Sequence, residues 1–71
     1  MKLNQTQVNT IINALYVAAE RYMQNAAELR AEGRKAETVQ EREVYYRLAK
    51  QFDKQAGEAR TVAAHVENEQ E

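Results

Sequence analysis

The sequence contains no cysteine, proline or tryptophan, and serine is also missing from its 71 residues. Without these residue types the chain has no disulfide bond, no metal site built on cysteine, and no serine or cysteine nucleophile. With two glycines and no proline, little in the sequence interrupts a helix. Alanine, glutamate, lysine, leucine and arginine supply 36 residues, a share typical of long helices. The composition therefore excludes many enzyme classes and predicts an all-α fold.

Charge is nearly balanced, since ten Lys and Arg oppose eleven Asp and Glu for a net charge of −1. The chain thus has no overall field that would attract nucleic acid or an anionic membrane. A basic strip with Arg47, Lys50 and Lys54 is interrupted by acidic residues, which suits a solvated face better than a phosphate backbone. Residues 3–19 are uncharged, but they are too rich in Asn, Gln and Thr for a signal peptide or a membrane span. We therefore expect a cytoplasmic protein that binds neither nucleic acid nor membrane.

The first helix has clear start signals. Asn4 is a favourable N-cap, and Gln7 follows three residues later as its capping-box partner. Leu3 and Val8 occupy the two positions of a hydrophobic staple. These signals predict a first helix over about residues 5–32.

This helix carries two neighbouring rows of apolar residues at helical spacing. Together the rows cover an arc of about 160°, which is more than one neighbouring helix can cover. We assign the first row to the contact with a second helix and the other row to a further partner. The first row consists of Val8, Ile11, Leu15, Ala18, Tyr22 and Leu29, and the other of Ile12, Tyr16, Ala19, Met23 and Ala26.

A turn is predicted at residues 33–38. Gly33 fits the C′ position that ends a helix, and Thr38 with Glu41 forms a new capping box. The alternative is one helix of about 65 residues in a long coiled coil, because a glycine inside a helix costs only about 1 kcal/mol. The apolar row slips by two residues across the glycine, however, which favours a chain reversal. We therefore predict a second helix over about residues 39–67, followed by a frayed acidic tail at 68–71.

The predicted architecture is an antiparallel two-helix hairpin. A reversal near residue 34 would place Leu15 near Phe52 and Tyr22 near Tyr45. The second helix is rich in small residues, which predicts a close approach of the two helices. Its predicted contact row is Tyr45, Leu48, Phe52, Ala59, Val62 and Val66, and its small residues are Ala49, Ala56, Gly57, Ala59, Ala63 and Ala64.

A lone hairpin of this size would have a thin core, because small domains bury a low fraction of their surface. We therefore expect a homo-oligomer, with a dimer favoured, in the form of a four-helix bundle or a larger helical assembly. The predicted interface is the outer row of the first helix with Ile12, Tyr16, Ala19 and Met23. The alternative is that this row binds a different protein as a helix in a groove.

Residues that could carry catalysis are sparse. His65 is the sole histidine and has no glutamate three residues before it, so the spacing of a di-iron helix bundle is absent. Glu28 with Glu32 and Glu41 with Glu43 are carboxylate pairs, but no concave apolar site is evident that would make them catalytic. We expect no metal, no cofactor and no enzymatic activity.

Four tyrosines in so short a chain favour a binding surface, since tyrosine and arginine are enriched at interaction hot spots. We predict a non-enzymatic, self-associating module that binds another macromolecule, with a protein as the expected partner, and acts as an adaptor, regulator or small inhibitor. The alternative is a protein that binds a small molecule, such as a nucleotide, in pockets between protomers. The candidate contact residues for either function are Arg21, Arg42, Tyr46 and Arg47.

Overall fold

In a computed structural model, which describes residues 3–69, the chain forms two long antiparallel helices. Helix α1 spans Gln5–Lys35 and helix α2 spans Val39–Asn68, with residues 36–38 as the connection. The Cα atoms extend over 52 × 14 × 14 Å. The predicted all-α helical hairpin is therefore confirmed.

The start of α1 follows the predicted capping pattern. The Asn4 side chain accepts a hydrogen bond from the Gln7 backbone N–H at 2.8 Å, and the Gln7 side chain accepts one from the Asn4 backbone N–H at 3.0 Å. Leu3 packs against the cluster that contains Val8. The capping box is confirmed, and the hydrophobic staple is consistent with this packing.

The end of α1 differs from the prediction. The helix continues through Gly33 to Lys35, and Gly33 has no positive φ, so it is not a C′ glycine. Gly33 is instead buried in the helix contact, where a Cβ atom would lie 2.7 Å from Tyr46 Cε1 and 3.2 Å from Tyr45 Cβ. The glycine therefore permits the helices to approach closely beside the turn, which is a tertiary role rather than a capping role.

The start of α2 also follows its local signal. The Thr38 hydroxyl accepts a hydrogen bond from the Glu41 backbone N–H at 3.1 Å, as expected of an N-cap. At the other end, Asn68 is still helical and Glu69 donates its backbone N–H to the His65 carbonyl at 3.0 Å. The predicted frayed tail therefore does not begin at residue 68, and its last two residues lie outside the described part of the chain.

The helices meet along rows of small residues spaced seven apart. These rows consist of Ala19, Ala26 and Gly33 on α1 and Ala49, Ala56 and Ala63 on α2, and all six residues are buried. Ile12 extends the α1 row and lies with Val8 and Ala63 in one cluster at the open end of the hairpin. The close approach predicted from the small residues of α2 is supported at Ala49, Ala56, Ala59 and Ala63, whereas Gly57 and Ala64 are exposed.

This contact corrects the predicted packing rows. Leu48 and Val62, both assigned to the contact, are 39% and 49% exposed. Leu15 was predicted to contact Phe52, but it packs against Ala56 and Ala59, which lie four and seven residues further along α2. The register differs because the chain reverses at residues 36–38 and not near residue 34. The buried row differs because small side chains allow the two backbones to approach more closely than the larger predicted side chains would.

The resulting core is thin. Val8 is the largest side chain with less than 2% exposure, and most of the other buried residues are alanines. The chain exposes 5690 Å², compared with about 4,500 Å² expected for a compact monomer of 8.2 kDa. The hairpin therefore has a surplus of exposed surface of about 1,200 Å² relative to a compact monomer.

Candidate functional site

Two long surfaces flank the row of small residues, one on each side of the hairpin. We call them the apolar face and the charged face. The apolar face consists of Ile11, Leu15, Ala18, Tyr22 and Leu29 on α1 and Tyr45, Leu48, Phe52, Val62 and Val66 on α2. The charged face consists of Tyr16, Met23 and Arg30 on α1 and Tyr46, Asp53 and Arg60 on α2.

The apolar face is held together by contacts between large side chains. The rings of Tyr22 and Phe52 pack at a centroid distance of 6.1 Å with 30° between their planes. Leu15 and Tyr22 cover the alanines beneath them. These side chains are half-buried by the hairpin alone, and Leu48 and Val62 are exposed. The face thus resembles a core that has been covered on one side only.

On the charged face, polar contacts join the two helices. Arg30 and Asp53 form an ion pair across the contact, with side chains that are 42% and 44% exposed. The guanidinium of Arg60 contacts the sulfur atom of Met23. Met23 and Arg30 lie seven residues apart on α1, and Asp53 and Arg60 lie seven residues apart on α2. The two contacts therefore repeat at the same seven-residue spacing as the small residues.

The charged face contains a shallow groove of about 520 Å³ around Tyr46, which we call the Tyr46 groove. The side chain of Tyr46 is 39% exposed and lies beside Gly33. Arg47 and Lys50 contribute positive charge to the groove, and Glu43 contributes a carboxylate. The arrangement offers an aromatic ring with nearby hydrogen-bond donors, as at protein interaction hot spots. Its lining residues are Arg30, Glu43, Tyr46, Arg47, Lys50 and Asp53.

The structure brings together two of the four predicted contact residues. Tyr46 and Arg47 line one groove, whereas Arg21 and Arg42 are exposed and do not line it. Arg21 follows the buried Ala19 by two residues, so its side chain leaves α1 on the side away from α2. Arg42 lies in the first turns of α2 beside the connection. The structure therefore does not bring all four candidate contact residues into one groove.

The fold also buries two residues of the predicted oligomer interface and leaves the other two exposed. Ile12 is 9% exposed and Ala19 is 1% exposed, because α2 covers both of them. Tyr16 and Met23 remain 45% and 43% exposed on the charged face. While the hairpin is closed, a second copy can reach Tyr16 and Met23 but not Ile12 or Ala19.

Between residues 3 and 69, no three His, Cys, Asp or Glu side chains lie close enough to hold a metal ion. His65 is exposed on the outer side of α2. In the same part of the chain, neither helix is both long and apolar enough to cross a membrane.

Sequence reasoning missed the pairing of Arg30 with Asp53 across the helices. Arg30 belongs to a row with Met23 and Tyr16 at spacings of seven, and Asp53 lies seven residues from both Tyr46 and Arg60. The seven-residue spacing of the small residues was the signal that could have located these flanking rows. This signal is weak in the sequence, because an alanine buries much less apolar area than the leucine and tyrosine side chains beside it.

Comparisons with known protein families, with curated proteins and with solved structures found no match to this chain.

Proposed function

We propose that the hairpin is a non-enzymatic, self-associating module that binds another macromolecule as an adaptor, regulator or small protein inhibitor. The observation that carries this proposal is the Tyr46 groove, in which an exposed aromatic ring lies beside Arg47 and Lys50. Tyrosine and arginine supply much of the binding energy at protein interfaces. A protein surface with carboxylates around an apolar pocket would complement this groove.

The charges already present in the groove support a protein partner. Arg30 is paired with Asp53, and Glu43 lies with Arg47 and Lys50 along the same side of α2. Carboxylates interspersed among the basic groups would repel a continuous phosphate backbone. A mixed set of charges instead provides register and selectivity for one protein surface.

The first experiment is native mass spectrometry of the full-length chain purified gently from its source cells. We expect a mass of two or more chains of 8.2 kDa plus that of a bound macromolecule. Tyr46→Ala and Arg47→Ala should each lower the affinity for that partner by at least tenfold, the effect of about 1.4 kcal/mol.

Two matched substitutions serve as controls. Tyr16→Ala removes another exposed tyrosine from the charged face, and Arg21→Ala removes an arginine on the outer side of α1. Both controls should bind the partner normally. If either control loses the partner while Tyr46→Ala retains it, the binding site lies outside the Tyr46 groove.

A second candidate function is the binding of a small molecule, for example a nucleotide. The volume of the Tyr46 groove, about 520 Å³, falls in the range of small-molecule sites. Its ring could stack on a base while Arg47 and Lys50 bind phosphate oxygens. A ligand at about 100 times its dissociation constant would stabilise the fold by roughly 2.7 kcal/mol. Thermal melting across a nucleotide panel, with Arg47→Ala as the negative control, tests this function.

A further inference from the structure

The apolar face lacks a partner within the hairpin. The helix contact buries alanines, so the larger side chains Leu15, Tyr22, Leu48 and Phe52 lie at the rim of the contact or outside it. A second copy of the same face is a strip of the same length and the same apolar residues, so it would cover these side chains.

We propose that the apolar face binds a second copy of the chain in an antiparallel, two-fold arrangement. This inference rests on the self-association included in the proposed function and specifies its face and orientation. The two hairpins would lie face to face with their turns at opposite ends. The charged faces would point outward, so both Tyr46 grooves of the dimer would remain accessible.

The order of large and small residues along the face supports this arrangement. Ala19 of α1 and Ala56 of α2 lie in one cluster, so these two residues are at a similar height along the hairpin. On the apolar face, Tyr22 then lies on the turn side of Gln55, and Ala18 lies at a similar distance on its other side. Leu48 and Val62 lie seven residues before and after Gln55. Residues on one side of this level thus have partners at a similar distance on the other.

A two-fold axis at the level of Gln55 makes this pattern self-complementary. The axis lies in the interface and runs across the helices, so each helix faces its own copy in the opposite direction. Tyr22 then packs over Ala18 of the second copy, and the exposed Leu48 packs against the exposed Val62 of the second copy. The exposed amide of Gln55 meets its own copy, and a carboxamide both donates and accepts hydrogen bonds.

A parallel arrangement, with both turns at the same end, fits the face less well. It would place the rings of both copies at one level and their alanines at another, leaving the helices unevenly spaced. It would also gather Glu28 and Glu32 of both copies at one end, since both residues line a groove beside Leu29 and Phe52.

Mass measurement on matched variants tests the face. Leu48→Glu places a charge on the apolar face, and Met23→Glu places one on the charged face at a residue of similar exposure. We expect the full-length wild type and Met23→Glu to be dimers by light scattering, and Leu48→Glu to dimerise at least tenfold more weakly. Circular dichroism should show that all three proteins remain helical.

Cross-linking of single thiols tests the orientation, because the chain has no cysteine of its own. Gln55→Cys should form a disulfide between two chains on mild oxidation, whereas Glu37→Cys in the connection should not. The Gln55→Cys result also tests the face independently of whether Leu48→Glu folds.

Each contrary result identifies what fails. A monomeric wild type overturns both this inference and the self-association in the proposed function. A dimer that is lost in Met23→Glu but kept in Leu48→Glu overturns the choice of face alone. Efficient cross-linking of Glu37→Cys without cross-linking of Gln55→Cys overturns the antiparallel orientation. Binding of a macromolecule at the Tyr46 groove is measured separately and stands or falls by Tyr46→Ala.

Discussion

The apolar face and the charged face flank the same row of small residues, yet they satisfy their side chains in different ways. On the charged face, Arg30 reaches Asp53 and Arg60 reaches Met23, so contacts within one chain cover part of the surface. On the apolar face, Tyr22 and Phe52 contact each other but remain half-buried, with Leu48 exposed beside them. Polar contacts between the helices thus join the side chains of one face, whereas the other face has apolar side chains that the hairpin covers only in part.

This difference follows from the use of alanine and glycine between the helices. Small side chains bring the backbones close, and a close pair of helices leaves too little space between them for leucine or phenylalanine. The large apolar residues are therefore displaced to one side of the contact. A hairpin with large residues in its centre would have a thicker core and less apolar surface outside.

The largest expected effect comes from enlarging the central row. Ala26 is fully buried, whereas its neighbour Ala27 is exposed. Ala26→Leu should lower the free energy of unfolding by about 1–3 kcal/mol or more, because overpacking forces the helices apart. Ala27→Leu should change it by less than about 0.5 kcal/mol. Urea unfolding followed by circular dichroism measures both variants, and similar midpoints would contradict the close helix contact.

The two glycines provide a second contrast of intermediate size. A Cβ atom at Gly33 would press on Tyr45 and Tyr46, whereas one at Gly57 would have no heavy atom within 4 Å. Gly57→Ala should stabilise the protein by about 0.5–1 kcal/mol through helix propensity. Gly33→Ala gains the same propensity, but we expect overpacking of about 1–3 kcal/mol to outweigh it.

Thermal melting of the two alanine variants checks this contrast. The melting temperature should rise for Gly57→Ala and fall for Gly33→Ala relative to the wild type. An equal rise in both variants would show that the helices beside the turn are further apart than the structure indicates.

The smallest expected effect concerns the ion pair of the charged face. Arg30 and Asp53 are about half-exposed, so Asp53→Asn should cost less than about 1 kcal/mol. The loss should shrink as salt increases, because exposed charges are screened. Glu43→Gln, a neutralised carboxylate of the same face, is the matched control. A loss of several kcal/mol would mean that the charged face contributes more to stability than the small-residue row.

Local signals in the sequence were sufficient for the elements and for most of their ends. Asn4 with Gln7 forms the predicted capping box, and Thr38 forms the N-cap hydrogen bond of the box predicted with Glu41. These hydrogen bonds join residues three apart, so local sequence is enough to predict them. Gly33 was misinterpreted because a glycine near a turn suits both a helix end and a close helix contact. Which role applies depends on whether Tyr45 and Tyr46 pack against it, and they lie in the other helix.

The candidate site was predicted only in part for a related reason. Tyr46 and Arg47 are neighbours in the sequence and share a groove, but Arg30 lines the groove from α1 and pairs with Asp53, which is 23 positions away in the chain. Arg21 and Arg42 were included by residue type alone, and the helix geometry turns them elsewhere. Residue type thus indicated which chemical groups a binding site would use, but not which of these residues lie together in the fold.

The sequence by itself determined the two helices, their caps, the reversal between them and the lack of cysteine chemistry, because these depend on composition and on contacts within a few residues. The tertiary structure decided which of the neighbouring rows lies between the helices, and hence which residues remain on the surface. The physical reason is that rows lying some 50° apart on a helix all satisfy the same apolar periodicity. The choice among them depends on how closely the partner helix can approach, and here alanine and Gly33 permit the closest contact.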